Sequence, residues 1–245
     1  MVKHLLLSDA ELSNFGKTET ISNKMGSLLK QQFNTWDLLN KNYTGLDTVK
    51  IKTFNFDNFR IDVQFNPSRI TSSAAKVDDA SIKARKSFLH YNNLPPAQKG
   101  LMYKNDYLIL CNPFPIFNQH FTIPVIQQIP QSIIGKYNDF LSLTKDIADE
   151  YVVFYNGPKC GASAPDHMHF QAGNKSFMPL DTEYNEIINK FGKLLLATND
   201  VKIYAVDKYL RKFYSIHSNN FDSAEKYFYD VVDKIKKVTE QSEEP

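Results

Sequence analysis

The chain has 245 residues, 42% hydrophobic and 23% charged, with a formal net charge of +2. That is the balance of an ordinary globular protein, and it gives no electrostatic reason to expect a nucleic-acid or membrane partner. Its two cysteines, Cys111 and Cys160, speak against a disulfide framework, so a reducing, cytoplasmic setting is the default. The apolar run Leu5–Leu7 is too short for a signal peptide or a spanning helix. No linker rich in Gly, Pro or Ser divides the chain, and residues 1–245 read as one domain with an N-terminal helical extension over about 1–48.

Residues 8–32 read as a helix, with Ser8 and Glu11 in capping-box spacing. A second helix is expected from Thr35 to about Leu46, around Trp36, Leu38 and Leu39. Neither shows any chemistry. Lys50–Phe56 and Phe59–Phe65 alternate polar and apolar residues around Asp57 and Asn58, a hairpin signal. Asn66–Arg69 breaks the strand and leads into the small polar run Thr71–Lys76. This segment is either an exposed loop or a phosphate contact through Arg69 or Lys76, since a guanidinium suits bidentate phosphate binding.

Asp106–Leu110 and Phe121–Pro124 read as strands joined by a proline-rich crossover, Cys111–His120. Residues 131–149 carry apolar side chains at helical period, from Ile133 to Ile147. Tyr151–Tyr155 and His167–Ala172 form a strand pair around a small-residue loop, Gly161, Ala162 and Ser163. Thr182–Leu196 is expected to be a helix, Val201–Val206 and Lys212–Ile216 strands, Phe221–Val238 a final helix, and Gln241–Pro245 a frayed end. His4 and His217 carry no motif and read as structural. The element order gives an α+β fold, an antiparallel sheet with helices on one face.

The stretch Asn156–Gln171 concentrates the chemistry. In a strand, His167, His169 and Gln171 share one face, while Met168, Phe170 and Ala172 share an apolar one. Three readings compete. The face is a polar strand with satisfied histidines; or two imidazoles share a metal with Asp166; or one imidazole attacks phosphorus while nearby donors hold the phosphate oxygens. The loop at Gly161 favours the third, because small residues let backbone N–H groups approach an anion.

Asn156, then Gly161-Ala162-Ser163, then His167-x-His169-x-Gln171 resembles the histidine-triad superfamily, with Gln171 where the hydrolases carry a third His. That substitution is similar to the transferase branch, which includes galactose-1-phosphate uridylyltransferase, diadenosine tetraphosphate phosphorylase and GDP-L-galactose phosphorylase. The resemblance covers about residues 66–180. It implies a histidine-triad-like sheet and a nucleotidyltransferase or phosphorylase acting on an NDP-sugar or a dinucleoside polyphosphate. The acceptor would be phosphate or a sugar phosphate. His169 would be the covalent nucleophile, with no cofactor and no metal required. Asn112, His120, Asn156, Gly161, Ser163, His167, Gln171 and Arg69 would bind nucleotide or phosphate. Asn112 would face the ribose, and His120 would face the phosphate or leaving group. Uridylyltransferase relatives hold a structural zinc; the matching positions here are Ser87, His90, Gln128 and His167, and two of those four are poor ligands. A phosphoanhydride hydrolase and a nucleotide-binding module without turnover remain the alternatives.

Overall fold

The computed structural model describes residues 2–56, 59–69 and 76–244. The capping box at Ser8 forms: Glu11 N–H donates to Ser8 Oγ, and Ser8 N–H donates to the Glu11 carboxylate at 2.8 Å. The helix it starts, α1 (Asp9–Leu12), lasts one turn, and helix resumes as α2 (Ile21–Thr35). The single helix expected over 8–32 breaks after Leu12, and the connection passes through Gly16, where an added Cβ would stand 2.6 Å from Ser27 Oγ. It restarts at Thr20, whose hydroxyl accepts from Asn23 N–H. Then comes α3 (Asp37–Thr44), as expected.

The hairpin β1 (Lys50–Phe56) and β2 (Phe59–Phe65) pairs with Phe56 opposite Phe59. Its turn residues Asp57 and Asn58, and the run Thr71–Ala75, lie outside the described residues. A short helix, α4 (Asp79–Ala84), leads to β3 (Gly100–Tyr103), a strand the sequence did not signal. Next come β4 (Tyr107–Cys111), β5 (His120–Pro124), α5 (Tyr137–Ile147), β6 (Tyr151–Phe154) and β7 (His169–Asn174). The five strands form one antiparallel sheet in the order β3-β4-β5-β7-β6.

One face of this sheet is the core. Ile109, Phe121, Ile123, Met168, Phe170 and Ala172 pack there against Leu12, Met25, Leu28 and Leu39 from the first three helices and Leu143 and Ile147 from α5. The alternation along β7 makes this inevitable: with Met168, Phe170 and Ala172 turned inward, His169 and Gln171 face the other way. That opposite face is partly covered by Val2 and Leu5, which pack on Leu108 and Leu110.

Past β7, α6 (Pro179–Phe191) stops short of the expected helix over 182–196. Gly192 ends it, where an added Cβ would meet Ile188 O at 2.4 Å, and the following Leu residues join β8 (Gly192–Ala197). A short apolar run suits helix or strand equally; pairing with β9 (Val201–Val206) decides it. With β10 (Phe213–Ser218) these make a three-stranded sheet, followed by α7 (Phe221–Thr239). Among the described residues no helix is long and apolar enough to cross a membrane.

Gly173 offers a test of the packing behind the sheet's polar face. It lies opposite His120, and an added Cβ would stand 2.5 Å from the ring of Phe117, which itself packs edge-on against His120 at 5.1 Å between centroids. Gly173→Ala is expected to lower stability by about 1–3 kcal/mol through overpacking, read as a fall in the denaturation midpoint.

Candidate active site

His169 opens β7 and is 4% exposed. Its Nδ1 lies 2.8 Å from the carbonyl oxygen of His167. A carbonyl only accepts, so Nδ1 carries the proton and Nε2 holds the lone pair. Burial lowers the pKa of His169 from 6.5 to about 4, against a smaller raising effect of that hydrogen bond. The ring is therefore neutral at physiological pH. Nε2 has no hydrogen-bond partner among the described residues, and His169 lines a cleft of about 370 Å³.

His167 does not share this cleft. It precedes the strand and is fully buried. Its Nε2 donates to Val125 O at 2.7 Å, and its Nδ1 pairs with Ser87 Oγ at 3.0 Å. The expected row of two imidazoles on one strand face thus becomes one imidazole facing the cleft and one holding the chain behind it.

Gln171 lines the cleft and His120 stands behind it. Ile116 N–H donates to His120 Nδ1 at 3.3 Å, so the neutral ring carries its proton on Nε2. That proton is donated to Gln171 Oε1 at 3.1 Å. With its oxygen occupied, Gln171 has its NH₂ end left to point into the cleft as a donor. Burial, aided by the charge of Arg69 and opposed by the Gln171 bond, lowers His120 to about 4. His120 is therefore uncharged near neutral pH and keeps this hydrogen-bonding role. It orients Gln171, one step removed from the phosphate contact expected of it.

The remaining expected residues divide. Ser163 and Asn112 line the cleft. The Asn112 carboxamide is committed on both sides: Oδ1 accepts from Phe114 N–H at 2.9 Å, and Nδ2 donates to Thr122 Oγ1 at 3.0 Å. Gly161 sits at the exposed tip of its loop with φ +87°, a conformation that glycine tolerates. Asn156 and Arg69 do not line the cleft. The Asn156 carbonyl accepts from Gln131, and Arg69 donates to Phe114 O at 2.6 Å, close enough to His120 to affect its charge.

Sequence reasoning missed five contributors. Arg85 lines the cleft and ties down the small-residue loop, donating to Ser163 O and to Asp166, each at 2.9 Å. Tyr43 of α3 bonds both backbone groups of His120 through its hydroxyl. Trp36, at the junction of α2 and α3, lines the cleft with Leu38. Gln131, expected within a helix over 131–149, lies before α5 begins and bonds the backbone of His169. Only the buried amphipathic tyrosine had a signal, since a buried phenol needs a partner.

The zinc set does not fit a metal. Ser87 is buried against His167 as a hydrogen-bond partner, both nitrogens of His167 are occupied, and Gln128 is exposed. His90 stays near, 6.4 Å ring to ring from His167, and stacks on Tyr91. The tail expected to fray is docked at Glu244, which accepts from Ile133 N–H at 2.8 Å.

The chain belongs to the family described as a domain of unknown function, DUF4922, whose model matches residues 28–174. No curated protein matches the sequence. Solved structures of the yeast Ap4A phosphorylase Apa2 are similar to it. The complex with AMP shares 15% identity, covering 86% of this chain and 74% of that one, with a TM-score of 0.45. The complex with Ap4A shares 16% identity, covering 82% and 73%, with a TM-score of 0.41.

Two measurements follow from the site. His120 and His169 are held neutral by burial, so between their ordinary 6.5 and about 4 the unfolded chain binds more protons than the folded one. Stability is expected to fall as pH drops through that window. Denaturant titrations at a series of pH values should show the slope, and His169→Gln should reduce it. Elemental analysis of the purified protein is expected to find well below one equivalent of zinc; stoichiometric zinc resisting chelation would contradict the reading of Ser87.

Proposed function

We propose that the protein is a nucleotidyltransferase of the histidine-triad transferase type, working as a phosphorylase or a uridylyltransferase-like enzyme through a covalent nucleotidyl-histidine. The observation that carries this is the state of His169: Nδ1–H committed to a backbone carbonyl, Nε2 bare, and the ring in the wall of the cleft. A neutral imidazole fixed in this way is a ready nucleophile.

The Nε2 lone pair attacks the α-phosphorus of a nucleoside diphosphate compound. A P–N bond forms and the phosphoanhydride P–O bond breaks, its electron pair leaving on the departing phosphate. The phosphorylated ring is cationic, and the His167 carbonyl accepting from Nδ1–H stabilises it. An acceptor phosphate oxygen then attacks phosphorus, the P–N bond breaks, and neutral His169 is restored. Gln171 NH₂ and the Ser163 loop hold the phosphoryl oxygens as charge shifts. Gln171 does not titrate, so it stabilises charge without acting as an acid.

The cleft itself supports the substrate class. Among the described residues that line it, Arg85 is the sole formally charged one, and none is a carboxylic acid or lysine that could protonate a leaving group. A leaving group that is stable as an anion, such as a phosphate or sugar phosphate, needs no such acid; an alcohol does. Trp36, Leu38, Phe88, Leu94, Pro95 and Phe114 supply apolar surface suited to a base and ribose.

Incubation with labelled dinucleoside polyphosphates or NDP-sugars tests the proposal. A transferase traps label on the protein without acceptor and turns over with it; a hydrolase releases nucleoside monophosphate alone; a binding module does neither. His169→Ala is expected to abolish both label and turnover. His167→Ala should retain some of each, because alanine keeps the backbone carbonyl that holds His169. His169→Gly should regain transfer when imidazole is added. Mass spectrometry should place one nucleotidyl group on His169; label on His167, or turnover with neither labelled, would rule the assignment out.

A further inference from the structure

The ladder between β6 and β7 ends early, at a point that matters. Its last pair is Phe154 opposite Gln171, so the same register two residues on would set Asn156 opposite His169. The rung is not made. Instead the carboxamide of Gln131, 3% exposed, occupies it. His169 N–H donates to Gln131 Oε1 at 2.8 Å, and Gln131 Nε2 donates to His169 O at 3.1 Å and to Asn156 O at 2.9 Å. A side-chain amide has the donor and acceptor pattern of a peptide group, so it satisfies the strand end as another strand would, without continuing it.

We propose that Gln131 is a positioning residue: its carboxamide replaces the rung at His169, fixing the backbone of that residue while holding β6 away so that the chain beyond Asn156 diverges into the small-residue loop. The inference rests on the reading of His169 as the nucleophile. The loop that carries Gln131 is itself pinned, by Gln131 N–H to Pro165 O at 3.0 Å, Met168 N–H to Ile129 O at 2.8 Å and Ile133 N–H to the Glu244 carboxylate at 2.8 Å. The wedge therefore has little freedom to drift. Without it, two buried groups of His169 lose their partners, and the nearest replacement is Asn156, which would zip the strands together and shift the imidazole. Displacing a reacting group by about 1 Å costs on the order of a hundredfold in rate.

The test uses the full chain with Gln131→Met, which keeps the shape and removes the amide, and Gln131→Glu, which keeps an acceptor for His169 N–H but adds charge. Two readouts are taken. Histidine side-chain ¹⁵N spectra report the His169 tautomer without substrate; wild type is expected to show Nδ1–H with bare Nε2, and Gln131→Met a mixture. Transfer kinetics per folded molecule should show kcat down by roughly tenfold or more, with KM changed by less than about twofold. In Gln131→Glu the acid limb of the pH profile should move to higher pH, because the new carboxylate joins Asp166 in favouring the imidazolium against His167. A folded variant with the wild-type tautomer, kcat and acid limb would overturn the inference; should Gln131→Met not fold, the spectrum and pH profile of Gln131→Glu decide it. If wild type takes no label at all, the proposed chemistry falls while the tautomer spectra still judge Gln131.

Discussion

The hydrogen bond from His169 Nδ1–H to the His167 carbonyl is the contact on which the rest of the site depends. It settles the tautomer, leaves the Nε2 lone pair uncommitted, and fixes the ring along a single direction. A bond from a side chain to the backbone two residues earlier exists only if that backbone is immobile. His167 secures it: its ring is locked between Val125 O and Ser87 Oγ, and its own N–H reaches Ala164 O. The first histidine of the motif thus works through its carbonyl, and its imidazole serves to keep that carbonyl in place.

The same logic governs the neighbouring donor. A lone glutamine in a cleft has no reason to present nitrogen rather than oxygen. Ile116 N–H sets the tautomer of His120, and His120 sets the face of Gln171. Burial keeps His120 neutral, so the relay does not reverse near physiological pH. Tyr43 brackets His120 from the N-terminal helices, and Asn42 donates to Pro113 O at 2.7 Å. Those helices, with Trp36 and Leu38 in the cleft wall, are part of the site and not an appendage to it.

Ser87 stands beside the buried imidazole of His167 as a hydrogen-bond partner. A hydroxyl beside an imidazole satisfies the buried nitrogen at little cost, where a thiolate would have needed a cation. That bond ties the segment around Ser87 to the chain just before β7, and within the segment Asn93 Nδ2 donates to Ser87 O at 2.7 Å.

The sequence by itself determined the strands flanking the site, the inward face of Met168, Phe170 and Ala172, and the outward face of His169 and Gln171, because alternation along a strand is a local property of the chain. It also carried the Ser8 capping box and the hairpin of Lys50–Phe65. It did not determine where helices stop. The first helix breaks after Leu12, Gly192 packs close to Ile188 in a way that a one-dimensional pattern does not contain, and the run after Gly192 suited helix and strand alike until β9 paired with it. Tertiary structure alone decided that His167 leaves the face it shares in a regular strand, that Arg85 meets Ser163, and that Gln131 reaches His169 across 38 residues of chain. Each of those is a hydrogen bond that completes a buried polar group, and which group completes which depends on the packed arrangement of loops, where spacing in the sequence carries no information.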